Sequence, residues 1–383
     1  MPYITRLLAC LSLILTTVAM AEEPPGAVVR LFDGNSLDGW QVTGCKAGVE
    51  DGVLVIQEGD GFVRTDHSYR DFVLELSWKP RRTEKYDSGI YIRAQLPAPG
   101  KPWPDKHQIN LKQGDEANLI GFKDGRSTGL VKPGEWNRMK VTVVGDTAAM
   151  ELNGQPAWKV SGLEPRAGYI GMQCEAPGGG QFEFKDILVT EIGHKPLFNG
   201  TDLTGWEGAG QEASACWKVE DGLLVCTGEK GPWLRSAEEY GDFNVRMAYK
   251  LKEGGNSGVF IRVPKDGDHH GENSGIEVQV LDDNAKRYAT LKPYQYTGSL
   301  YAIVAAEPRV CRPAGEWNTL EIDCSDTSYL VIHNGVQIMK ASADEHPELA
   351  KRLQKGYLGL QNHSEAVWYK DLRVGPSMQE KKP

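Results

Sequence analysis

Apolar and polar positions alternate along the chain in short stretches, and three of these organise the reading. In residues 256–262, Val259 and Ile261 fall on one face and Phe260 and Arg262 on the other, as a half-buried strand requires. In residues 276–281, Ile276, Val278 and Val280 share a face, and Glu277 and Gln279 share the opposite one. In residues 356–363, Gln361 and His363 oppose Leu358 and Leu360. If these strands are near neighbours, their polar faces form the floor of one groove. If they are not, each is solvated sheet, with Arg262 and Glu277 at most a cross-strand ion pair.

The same rhythm recurs along the chain. Residues 53–56, 72–78, 139–144 and 182–189 are rich in β-branched and aromatic side chains, and Asp51-Gly52, Asn153-Gly154 and Asn334-Gly335 read as turns between strands. One helix is expected over 348–355, with Pro347 at its first turn and Gly356 closing it.

The chain is also written twice. Leu31-Phe32-Asp33-Gly34 returns as Leu197-Phe198-Asn199-Gly200, and Leu37-Asp38-Gly39-Trp40 as Leu203-Thr204-Gly205-Trp206. Ser88-Gly89-Ile90-Tyr91-Ile92-Arg93 matches Ser257-Gly258-Val259-Phe260-Ile261-Arg262, and Gly134-Glu135-Trp136-Asn137 matches Gly315-Glu316-Trp317-Asn318. Two tandem copies, 22–193 and 194–377, follow, with 378–383 as a loose tail. Many short strands at even spacing make each copy an all-β sandwich or jelly roll. The tryptophans shared by both copies, Trp40, Trp206, Trp136 and Trp317, read as core. Trp103, Trp158 and Trp233 break the repeat and read as exposed aromatic contacts.

Composition narrows the function. The 383 residues are 40% hydrophobic, enough for two cores, and a formal charge of −9 argues against a nucleic-acid partner. Residues 1–21 read as a secretory signal peptide: Arg6, then an apolar run over 7–18, then Ala19-Met20-Ala21. The expected location is therefore periplasmic or extracellular, and no later segment is apolar for long enough to span a membrane. Six cysteines follow the signal. They read either as pairs (Cys216 with Cys226, Cys311 with Cys324, Cys45 with Cys174) or as buried free thiols.

Several ordered motifs resemble one family. They are Leu197-Phe198-Asn199-Gly200 through Trp206, Asn256-Ser257-Gly258-Val259-Phe260 with Arg262, and Glu277-Val278-Gln279-Val280-Leu281-Asp282. Gly315-Glu316-Trp317-Asn318, Gly356 through His363, and Val367-Trp368-Tyr369-Lys370-Asp371-Leu372 complete the set. The chain resembles the 3-keto-disaccharide hydrolases, also described as 3-keto-glucoside 1,2-lyase/3-keto-2-hydroxy-glucal hydratases, over essentially all of its mature length. The resemblance implies two concanavalin A-like jelly-roll sandwiches and an oxidised sugar or glycoside as substrate.

Such chemistry needs a base to take the proton on C2, which a C3 ketone acidifies. It also needs a cation or metal for the enolate, and polar groups for the hydroxyls. Copy two offers Glu277 or His363 as base or acid and Arg262 as electrostatic partner. Gln279 and Gln361 suit hydroxyls, and Asn256 and Trp368 the walls. Asp266, Asp268, His269 and His270 form a candidate set for a divalent cation. Copy one places Gln108 for Glu277, Asn110 for Gln279 and Glu175 for His363 but keeps Arg93 and Gln173, so copy two is expected to be the catalytic one. The competing readings are a non-catalytic carbohydrate-binding protein and a conventional glycosidase with two carboxylates.

Overall fold

The hairpin turns set the strand register. At Asn153-Gly154 and Asn334-Gly335 both residues have positive φ (53° and 80°, 46° and 71°). This is the two-residue turn whose twist matches the strands it joins. A computed structural model describes residues 26–178 and 180–379; the expected signal peptide, 1–21, lies outside them. The described chain is β throughout, with four short 3-10 turns and no α-helix. The expected helix over 348–355 is a 3-10 turn, Pro347–Lys351, that ends where Arg352 returns to extended backbone.

Each copy is a two-layered jelly-roll sandwich around its own apolar core. In copy two the layers are separate: an eight-stranded back sheet and a five-stranded front sheet. The front sheet runs Trp206–Gly208, Leu234–Tyr240, Gly356–Leu360, Asn256–Val263, Ile276–Leu281. Its inward residues Val259, Ile261, Ile276, Val278, Val280, Leu358 and Leu360 are buried with Tyr249, Leu320, Ile322 and Tyr369 of the back sheet. In copy one a single long strand, Val53–Tyr69, passes through both layers and joins them into one eleven-stranded sheet. Copy two breaks the counterpart at residues 227–233, between Leu223–Cys226 and Leu234–Tyr240.

The copies are locked together by a buried charge network. Glu191 of copy one meets Arg246 at 3.1 Å and Arg373 at 2.6 Å, and Arg246 meets Glu321 at 3.1 Å. His67 reaches Glu321 at 2.8 Å, and the Asn244 amide donates to both Glu321 and Asp323. Of the expected tail, 378–383, residues 378 and 379 are described: the Met378 N–H donates to Asp323, and Arg70 donates to the Ser377 and Met378 carbonyls.

Other expectations are corrected by packing. All six cysteines are free thiols, so the pairs are not formed. In the hairpin Cys226 lies opposite Trp217, one position away from Cys216, and their thiols turn to Asn362 and to the Pro232 carbonyl. Trp40 and Trp206 are core residues whose indoles donate to Leu31 and Leu197 carbonyls. Trp136 and Trp317 are instead half-buried, each flanked by two lysines over its ring. Trp158, expected outside, is buried and donates to the Ala117 carbonyl.

Candidate active site

Register brings the polar faces of the front sheet together. Phe260 lies opposite Glu277 and Gly258 opposite Gln279, while the Gln361 N–H donates to the Gly258 carbonyl. Asn256, Glu277, Gln279, Gln361 and His363 therefore line one open hollow of about 260 Å³. Gly258 is needed in that floor. A Cβ there would stand 2.3 Å from Glu277 Oε1.

Glu277 is 5% exposed. Burial raises its pKa to about 7, a shift that a hydrogen bond from Gln361 only partly offsets. The other amide atom of Gln361, Oε1, is buried without a partner and is an unspent acceptor in the wall. Gln279 Nε2 donates to Asn256 Oδ1 at 2.8 Å and to the Ser257 carbonyl at 3.1 Å, which fixes both side chains.

The loop between Asn256–Val263 and Ile276–Leu281 folds over the hollow. His269 stacks on Phe260, 4.6 Å between centroids, and its Nε2 lies 3.4 Å from Glu277 Oε2. His269 Nδ1 donates to the Gly267 carbonyl at 3.0 Å, and burial lowers the ring's pKa. The neutral ring thus turns a lone pair toward the carboxyl group. His270 and His363 stand at the rim, His363 with a half-exposed ring 3.6 Å from Glu365.

Two expected site residues, Arg262 and Trp368, lie elsewhere. Arg262 should share the face of Phe260, but the register shifts between Phe260 and Val263, and Arg262 has φ +52°. The bulge turns its side chain away, where it donates to the Gly241 and Asp326 carbonyls and pairs with Asp242. Arg93 does the same in copy one, with φ +49° and bonds to the Arg70 and Gly145 carbonyls and Asp71. This arginine braces the fold in both copies. Trp368 belongs to the back sheet, opposite Val225 and beneath Lys250. The cation set does not assemble either. Asp266 accepts the Asp268 N–H, Asp268 accepts the His270 N–H, and His269 Nδ1 is taken by Gly267. Among the described residues no group of three or more His, Cys, Asp or Glu is arranged to hold a metal ion.

One wall comes from residues the alternation did not single out. The longer connection of copy two, through two 3-10 turns, brings Tyr288, Leu291, Gln295 and Tyr301 to the hollow. Trp233 adds an edge contact to Phe260 at 5.2 Å, behind the loop.

Copy one keeps the floor but fills it. Tyr91 donates to Gln108, Gln108 to Gln173, and Gln173 to Glu175, at 3.3, 2.6 and 3.0 Å. Asn110 turns to Asp115 and the Lys112 N–H. A further, smaller cavity, about 90 Å³, lies in the seam between the copies. There Asp33 accepts the Asn35 and Ser36 N–H groups, and Asp38 pairs with Arg312.

The model of the 3-keto-alpha-glucoside-1,2-lyase-like domain matches residues 27–190 and again 193–375. The chain belongs to that family. As a member of this carbohydrate-active family it carries the domain twice, with the junction beside Gly193. A 3-keto-disaccharide hydrolase of Bacteroides thetaiotaomicron is 28% identical over 231 residues, covering 49% of this chain and 80% of that protein. Among solved structures, a putative glycosyl hydrolase from Parabacteroides distasonis is 25% identical, covering 48% of this chain and 94% of that one, with a TM-score of 0.43. The carbohydrate-binding module CBM66 from Bacillus subtilis is 13% identical, covering 45% and 96%, with a TM-score of 0.32.

Proposed function

We propose that this 3-keto-alpha-glucoside-1,2-lyase-like protein is an exported enzyme that cleaves 3-keto-glycosides at the hollow of copy two, by β-elimination followed by hydration. The observation that carries the reading is the chemistry of Glu277: one buried carboxyl group with a pKa near 7, set among amides. A base so poised is half in its working form at neutral pH and strong enough to take a proton from a carbon next to a ketone. Gln279 and Asn256 hold the sugar hydroxyls, with the Gln361 amide on Glu277. With Arg262 withdrawn, the rim imidazoles of His270 and His363 are the groups that meet the developing enolate oxygen. The 28% identical 3-keto-disaccharide hydrolase favours the same substrate class. Export rests on residues 1–21.

The two-carboxylate glycosidase fits less well. Among the described residues lining the hollow, Glu277 is the single carboxylate. Asp282 and Asp283 accept the Gly254 and Thr297 N–H groups instead. An acid and a second carboxylate are what that mechanism needs.

A paired assay decides between the readings. The mature protein should release aglycone from a 3-keto-glucoside and leave the parent glucoside intact. Turnover of the parent alone would replace this reading with the glycosidase, and tight binding without turnover of either would replace it with a binding module.

A further inference from the structure

We propose that Tyr301 is a second catalytic group of this hollow, protonating the departing glycosidic oxygen; the proposal rests on the elimination reading above. The added connection of copy two does more than wall the site. Its residues 298–301 pair along the free edge of Ile276–Leu281: Gly298 N–H to the Gln279 carbonyl at 2.8 Å, Gln279 N–H to Ser299 at 3.0 Å, and Tyr301 N–H to Glu277 at 2.9 Å. Val278 bridges Leu300, so Tyr301 stands directly opposite Glu277. Side chains so paired leave the same face of a sheet, with Cβ atoms about 5 Å apart.

The hydroxyl of Tyr301 is set up to donate. Gln295 Oε1 accepts the Lys292 N–H at 3.1 Å, which fixes the amide and turns its NH2 group to the Tyr301 oxygen, also at 3.1 Å. The phenol oxygen is therefore an acceptor, and among the described residues nothing takes its hydrogen. Tyr288, the other tyrosine of the hollow, has spent its hydrogen on the Gly254 carbonyl. The Tyr294 ring meets Tyr301 edge-on at 6.1 Å and steadies it.

Copy one supplies an independent comparison. There Ile109 bridges Leu119, and the Ile120 N–H donates to the Gln108 carbonyl, the same pairing at the same place. The residue opposite Gln108 is thus Ile120. The copy that lacks the carboxylate lacks the phenol too, as expected if the two groups work as a pair.

The proton balance closes. Glu277 takes the proton from C2, and the electron pair passes through the enolate into a C1–C2 double bond. The C1–O bond breaks with its electrons on the departing oxygen, which takes the Tyr301 proton. Water then adds at C1, giving its proton to the Tyr301 oxygen, while Glu277, its acid proton exchanged with solvent in the open hollow once the aglycone has left, protonates C2.

The test is Tyr301→Phe on two 3-keto-glucosides, one with a nitrophenyl and one with an alkyl aglycone. An alkoxide needs a proton to leave and a nitrophenolate does not. The variant should lose about 100-fold or more on the alkyl substrate and about threefold or less on the nitrophenyl one. Because the readout is a ratio on one preparation, a lower folded fraction leaves it unchanged. Equal losses on both substrates, or none on either, would overturn the role of Tyr301 while leaving the elimination reading intact. Release of neither aglycone by the unmodified protein would remove the elimination reading itself.

Discussion

Replacing Glu277 by Gln is expected to lower kcat/KM on a 3-keto-glucoside by about 100- to 10,000-fold, the range a positioned general base contributes. The amide keeps the shape of the side chain and cannot take a proton. The same change should make the protein more stable at pH 8. Glu277 has a pKa of about 7 when folded, against about 4.5 unfolded, so the folded state favours its protonated form. The cost of ionising it in place is absent below about pH 4.5 and complete above about 7, where it reaches about 3 kcal/mol. The variant should therefore melt higher than the unmodified protein at pH 8 and no higher at pH 4. In the unmodified enzyme kcat/KM should rise with pH through about 7 and then level off, because the working form is the carboxylate. Retained activity in Glu277→Gln would take the carboxylate out of the mechanism.

The second large effect is on stability. Glu191 is 2% exposed between Arg246, Arg373 and His194. Burial alone would raise its pKa, yet Arg373 and Arg246 outweigh it and hold the carboxyl at about 2. Glu191→Gln leaves two buried guanidinium groups short of a counter-charge, which costs about 3–5 kcal/mol. Urea denaturation should show that loss at pH 7. Sensitivity to acid follows from the same groups. Glu191 contributes stability that is present above about pH 4.5 and lost as pH falls toward 2. Burial holds His194 at about 4, so its contribution is lost as pH falls from about 6.5 to 4. The unmodified protein should lose stability across this window, and the variant less steeply between 4.5 and 2. A change within about 0.5 kcal/mol at pH 7 would mean that the seam adds little to stability.

The all-β fold, the repeat and most of the floor were legible because a strand exposes its geometry in its alternation. Glu277, Gln279 and Gln361 fell on the outward face by counting in twos, and the register joined them. Arg262 was misplaced by the same count, since one residue at φ +52° turns every later side chain over. A cue was present: Arg93 persists in copy one although Gln108 has replaced the carboxylate, as a fold-bracing residue would. Trp368 was misread because adjacency in a motif says nothing about which layer a strand joins. Asp266 and Asp268 had the spacing of ligands, but carboxylates at such spacing also cap their own turn. Tyr288 and Tyr301 lie in a connection of 3-10 turns without period two, so only the extra length of that connection hinted at them.

The most direct measurement of the central claim is turnover of a 3-keto-glucoside in heavy water, followed by mass and proton spectra of the released sugar. Elimination through Glu277 requires deuterium at C2 in every product molecule, above the exchange seen without enzyme. Aglycone released with the original hydrogen still on C2 would contradict it.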